Sequence, residues 1–163
     1  MKTLFRTLLW LSLIVWIGAE IFFPIVAAVT FITLQPDTHR AGAIVGALLR
    51  VLHGMGLVSG LVGMALLALA SAWRIFNARQ VLAPMLLLTA MIGLTAYSQF
   101  ALVPAMDRDR IAVGGSIAEA DQNQPSRIHF ERLHKQSEGI EGAILLMGIG
   151  VVVLVAYAES ART

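Results

Sequence analysis

Residues 7–31 read TLLWLSLIVWIGAEIFFPIVAAVTF, from Thr7 to Phe31, with Glu20 as the one ionisable side chain and Pro24 as the one helix breaker. A bilayer's hydrocarbon takes about 20 apolar residues as one helix, so this run crosses a membrane with residues to spare. Met1-Lys2-Thr3-Leu4-Phe5-Arg6 would suit the opening of a signal peptide. The apolar run is too long for such a leader and lacks a small-residue cleavage pattern, so it is expected to stay as a span.

The rest of the chain repeats the pattern. After the turn Gln35-Pro36-Asp37-Thr38-His39-Arg40, an apolar stretch runs to Ala72 with Arg50 and His53 in its first third. Trp73-Arg74-Ile75-Phe76-Asn77-Ala78-Arg79-Gln80 joins an aromatic belt to two arginines, and a third stretch follows from Val81 to Pro104. A polar region with Gly114-Gly115-Ser116 comes next, then a helix start at Ser126 that leads into the last span. The spans are expected at about 43–72, 81–104 and 138–158 after the first at 7–31, with a polar outer loop over about 105–130. The 163 residues are 58% hydrophobic and 13% charged, which excludes a water-soluble domain. The expected fold is an all-α, integral membrane, up-down four-helix bundle in a single transmembrane domain.

The short flanks carry Lys2, Arg6, Arg74, Arg79 and Arg162 against Glu159. The positive-inside rule then puts both termini in the cytoplasm, in an inner or plasma membrane, with both long connections outside. The chain has no cysteine, which removes disulfides, thiolate metal sites, iron–sulfur clusters and covalent haem. A net charge of +2 with no basic run interleaved with aromatics argues against nucleic acid.

A shift of 81 residues aligns Trp16 with Tyr97 and His53 with His134, the pattern of a tandem two-helix repeat. Depth along each helix is more informative. At 1.5 Å per residue from the cytoplasmic end, Glu20 lies ~21 Å up the first span, His53 ~30 Å up the second, Tyr97 and Gln99 ~24 to 27 Å up the third, and Glu141 and His134 ~24 to 36 Å up the fourth. All fall in the outer half, so these six are expected to converge on the bundle interior around an outward-open polar pocket. A carboxylate in mid-span, like Glu20, costs at least ~2.5 kcal/mol and marks a functional site by default.

The sharpest local motif is Phe130-Glu131-Arg132-Leu133-His134-Lys135-Gln136-Ser137-Glu138-Gly139-Ile140-Glu141. His134, Ser137, Glu138 and Glu141 share one helical face. His134 with Glu141 and Glu20 is a candidate set for a borderline divalent metal; an ordinary surface ion pair is the competing reading of His134 and Glu138. Arg132 and Arg50 are the chain's own candidates for neutralising the carboxylates. The glycines Gly54, Gly56, Gly60 and Gly63, and Gly142, Gly148 and Gly150, are read as close helix contacts. The methionines are read as packing, Arg108, Asp109 and Arg110 as solvated loop charges, and His39 and His129 as loop histidines. No Ser-His-Asp set, phosphate loop or paired-carboxylate geometry argues for an enzyme.

Trp16-Ile17-Gly18 with Phe22-Phe23, Ala41-Gly42, Tyr97-Ser98-Gln99-Phe100 before Pro104, and Phe130-x-Arg132-x-His134-x-x-Ser137-x-x-x-Glu141 together resemble the transmembrane protein 205-like family. The resemblance spans nearly the whole chain. It implies a four-helix membrane protein of undefined biochemistry, with a eukaryotic relative linked to platinum-drug resistance. Bacterial members often carry Arg after the third-span proline, where this chain has Ala105. Trp16-x-Gly18-x-x-x-Phe22-Phe23-Pro24 is also similar to the opening span of membrane haem proteins of the coproporphyrin and protoporphyrinogen oxidase type and of copper-resistance proteins. Those families place a histidine ligand in the early spans, and the first span here has none.

Three functions therefore stand as expectations. The first is a non-enzymatic protein that binds or passes a small molecule or metal cation, with Glu20, His53, Tyr97, Gln99, Arg132, Ser137 and Glu138 around the ligand. The second is a haem-binding redox protein with His53 and His134 as axial ligands. The third is a structural or assembly subunit of a membrane complex or homo-oligomer.

Overall fold

The computed structural model describes residues 2–160. Among them the chain is all helix and turn: α1 (Lys2–Thr33), α2 (Thr38–Ala72), α3 (Ala78–Tyr97), a π-helical turn (Ser98–Leu102), α4 (Val103–Ala112) and α5 (Pro125–Ser160). α3, the π turn and α4 form one continuous rod, so four rods stand side by side, each long and apolar enough to cross a membrane. Asp37 starts α2 by accepting a hydrogen bond from the Arg40 amide at 2.8 Å. α2 ends in a Schellman turn: Ile75 N–H donates to the Ala70 carbonyl at 2.8 Å, Arg74 N–H donates to Ser71, and Arg74 takes the left-handed conformation at φ 54°.

The outer face of the bundle is as apolar as its core. Leu4, Ile14, Val58, Leu61, Leu86, Leu146 and Val153 are all exposed, a surface that only lipid suits. Inside, two apolar clusters are stacked along the bundle. One joins Leu9, Leu13, Trp16, Leu67, Leu88, Met91, Ile144 and Val151 in the half that holds the described chain ends. The other joins Leu49, Leu52, Leu102, Val103, Met106 and Leu133 near the opposite end. The polar site lies between them.

α1 rests chiefly on α2, α2 on α3, and α3 on α5. α1 meets α5 sparingly, through Trp10 and Arg6 at Glu159 and through Ile17 against Gly148. Beyond Ile17 the two helices leave a cleft.

Two boundaries differ from the expected ones. The third span does not stop at Pro104, because helix continues to Ala112, and α5 begins at Pro125, so the expected polar loop over 105–130 shrinks to residues 113–124. The π turn explains the first difference. Pro104 has no N–H to give and crowds the preceding turn. The chain widens there, with the Val103 amide bonding the Ser98 carbonyl five residues back. The two halves of the apparent repeat are both long helical hairpins, yet the aligned residues sit differently. Trp16 and His53 are buried, whereas Tyr97 is 45% exposed and His134 is exposed too.

Candidate functional site

The buried face of α2 runs through Leu49, His53, Gly56, Gly60, Gly63 and Leu67, a stripe in which one histidine replaces an apolar residue. The His53 ring is fully buried. Its Nε2 donates to Glu141 Oε1 of α5 at 2.9 Å, and its Nδ1 lies 3.0 Å from Gln99 Oε1 of the π turn. Ser98 Oγ donates to the same Glu141 oxygen at 3.3 Å. Three rods are thereby tied through one imidazole. Glu141 Oε2 is buried and has no hydrogen-bond partner among the described residues.

Glu20, 4% exposed, is the second carboxylate and the more deeply buried of the two. It accepts a hydrogen bond from Trp16 Nε1 one turn earlier on α1, at 3.1 Å. Trp16 lies against the glycine stripe: a Cβ on Gly56 would stand 2.6 Å from its indole nitrogen, and one on Gly60 2.5 Å from Cζ3. Gly56 is one turn from His53, so the flat ring places Glu20 beside the His53–Glu141 pair, within electrostatic reach of both.

Both carboxylates open on the cleft between α1 and α5, a cavity of about 550 Å³. α1 lines it with Glu20, Pro24, Ala27 and Phe31, and α5 with His134, Glu138, Glu141 and Leu145. The spacing i, i+4, i+7, i+11 is the same on each helix, so each presents one stripe to the gap. Ser137 is buried on the same wall, and Leu49 and Met106 close the back. The cleft continues past Phe31, Val45 and His134 into a second chamber of about 390 Å³ under the 113–124 connection. His39 of α2 bonds the Gly115 carbonyl there.

Charges at that second chamber are paired with one another. Arg50 bonds Asp107, Arg110 stands 3.8 Å from Asp107 and lies over the Phe130 ring, Arg127 pairs with Glu131 at 3.0 Å, and His129 bonds Asp109 at 2.7 Å. Asp109 and Arg110 are thus not simply solvated loop charges, because α4 brings them against α5. Arg50 is spent on Asp107, and Arg132 is exposed and lines neither chamber, so neither arginine neutralises the buried carboxylates.

Of the six side chains expected to converge, Glu20, His53, Gln99 and Glu141 do so. Tyr97 does not: it is one position off the buried stripe of Leu88, Met91, Thr95, Ser98 and Leu102, and its hydroxyl accepts from Gln136 at the surface. Ser98 takes its place, and that same periodicity is the signal that singles it out. His134 does not join the buried knot either: it stands at the mouth of the cleft, stacked on Phe130 and 3.3 Å from Glu138, with both side chains more than half exposed. Gly56, Gly60, Gly63, Gly148 and Gly150 are close contacts as expected, whereas a Cβ on Gly54 or Gly142 would meet nothing within 4 Å.

Among the described residues no three histidine or acidic side chains gather in a metal-holding group. Both nitrogens of His53 are engaged by protein, and His134 is held by Glu138 at the exposed mouth of the cleft, so the pair does not fit as axial ligands of haem. His134→Ala is accordingly expected to change stability by less than about 1 kcal/mol, as for an exposed ion pair, and to leave a calorimetric zinc titration the same as for His39→Ala. A selective loss of zinc binding in His134→Ala would reinstate the metal set.

The fold and site together define a four-helix membrane protein with a polar knot buried between its helices and a cleft beside it. The chain belongs to the family described as Domain of unknown function (DUF4149), whose profile matches residues 11–109. That stretch contains Trp16, Glu20, His53, Ser98 and Gln99 and stops short of α5, which supplies Glu141. No curated protein and no solved structure matches the chain.

Proposed function

We propose that this protein binds a small ligand in the cleft between α1 and α5, on the outer side of a cytoplasmic membrane. One observation carries the reading: the buried Glu20 and the half-buried Glu141, from facing helices, open on a single cavity of about 550 Å³ whose α1 wall is otherwise apolar, a volume in the range of small-molecule sites. A layer that served only to stitch helices would be filled by its own side chains, as the apolar clusters on either side are.

The pocket is tested by filling it. Ala27 lies on the α1 stripe between Pro24 and Phe31, so Ala27→Trp fills the cleft while both carboxylates stay in the chain. In a thermal-shift screen of anionic, neutral and cationic small molecules, at least one compound is expected to stabilise the parent protein and not Ala27→Trp. A screen with no stabiliser, or with equal shifts in both proteins, favours a purely structural layer.

Orientation is tested separately. Reporter fusions at Arg79 and Thr163 are expected to report the cytoplasm and a fusion at Gly115 the outer side. A cytoplasmic signal at Gly115 would turn the cleft inward.

A further inference from the structure

The cleft has an imbalance that specifies its occupant. The cations around the second chamber all have acidic neighbours of their own: Arg50 and Arg110 share Asp107, and Arg127 pairs with Glu131. The carboxylates at the floor are less well partnered. Glu141 has the imidazole of His53 and the Ser98 hydroxyl on one oxygen and, among the described residues, no partner on the other, and Glu20 has a single indole N–H. Glu138, the third carboxylate on the lining, has only the His134 imidazole at 3.3 Å, so the cleft is rich in acceptors and poor in donors, a deficit that a positively charged group with hydrogen-bond donors fills. A divalent metal needs at least three side-chain ligands, and among the described residues no three histidine or acidic side chains are gathered to hold one. Elsewhere on the lining, Phe23, Pro24, Ala27, Phe31 and Leu145 offer an apolar body its contacts. The cleft also lies between two helices whose outer faces are lipid-type surfaces, with Ile21, Ile25 and Val29 exposed on α1 and Leu146 and Ile149 on α5, so a solute dissolved in the bilayer reaches it sideways.

Resting on the ligand-pocket reading above, we infer that the ligand is a lipophilic monovalent amine, taken from the bilayer through the α1–α5 gap, its ammonium seated between Glu20 and Glu141 and its apolar body along Ala27 and Leu145.

Three probes share one scaffold and differ in charge: 4-phenylbutylamine, 4-phenylbutanol and 4-phenylbutyrate. Binding is measured by calorimetric titration on the full chain in lipid nanodiscs, with empty nanodiscs subtracted. The amine is expected to bind about tenfold or more tighter than the alcohol, with the carboxylate weakest. Glu20→Gln, isosteric but uncharged, is expected to erase the preference for the amine over the alcohol, and Ala27→Trp to abolish binding of both. Should Glu20→Gln not fold, a melting curve shows it, and the comparison of the three probes on the parent protein still decides. Equal binding of amine and alcohol, lost in Ala27→Trp, overturns the amine assignment and leaves the pocket standing. Carboxylate binding tighter than amine does the same. Failure of all three probes to bind overturns both the assignment and the pocket.

Discussion

His53→Ala is expected to lower unfolding stability by about 3 to 5 kcal/mol, the cost of stranding a carboxylate and an amide inside the bundle and of opening a void beside them. The ring is fully buried and bridges Gln99 on the π turn to Glu141 on α5. Without it, Glu141 keeps a single long bond from Ser98, the Gln99 amide loses its partner, and an imidazole-sized void opens between three rods. The expectation has an internal control. In His53→Leu combined with Glu141→Met the stranded charge is gone and the void is largely filled, so the double variant should recover most of what His53→Ala loses. Reversible unfolding in detergent micelles measures both. A loss under about 1 kcal/mol for His53→Ala would mean that water or a rearranged side chain satisfies Glu141, and that the knot does not hold the rods together.

Gly60→Ala is expected to cost about 1 to 3 kcal/mol, and Gly56→Ala a similar amount. At Gly60 the added carbon would stand 2.5 Å from Trp16 Cζ3 and 2.8 Å from Ile92 Cγ1. The indole is rigid and 1% exposed, so it has nowhere to retreat without moving α1. At Gly56 the clash falls on the indole nitrogen that donates to Glu20, so this substitution also strips the carboxylate of its bond. Gly54→Ala is the matched control: nothing lies within 4 Å of its added carbon. Alanine is a better helix former than glycine by up to about 1 kcal/mol, so this variant should hold or gain stability. Equal melting temperatures for the Gly54 and Gly60 variants would show that Trp16 is not clamped by α2.

The four spans were legible because apolar length alone dictates a crossing helix. Depth along each helix was legible too, since a fixed rise per residue places Glu20, His53, Gln99 and Glu141 in one layer. Azimuth was harder. Tyr97 shares that layer but misses the buried stripe by one residue, and Ser98, hidden in a run of common span residues, sits on it. The π turn compounds the difficulty, because a widened turn shifts the phase of all that follows, leaving Leu102 and Val103 both buried. His134 illustrates the other limit. Its spacing to Glu138 and Glu141 fits a chelate, yet the helix turns it to the rim, where Phe130 and Glu138 hold it. The pairing of Arg50 with Asp107, which removes the arginine from the carboxylates, joins residues far apart in sequence and had no local signature.

The central claim is that Glu20, though buried in the protein, is reachable from lipid through the cleft. A lipid-soluble carbodiimide tests it most directly, since such reagents partition into the bilayer and add to carboxyl groups they can touch. Membranes holding the protein are treated with dicyclohexylcarbodiimide, and adducts are located by peptide mass spectrometry. The account predicts an adduct on Glu20 that disappears in Ala27→Trp and is suppressed by 4-phenylbutylamine. An unmodified Glu20 beside labelled Glu131 and Glu138, which are exposed at the cleft's rim, would show the carboxylate sealed inside the bundle and contradict the account.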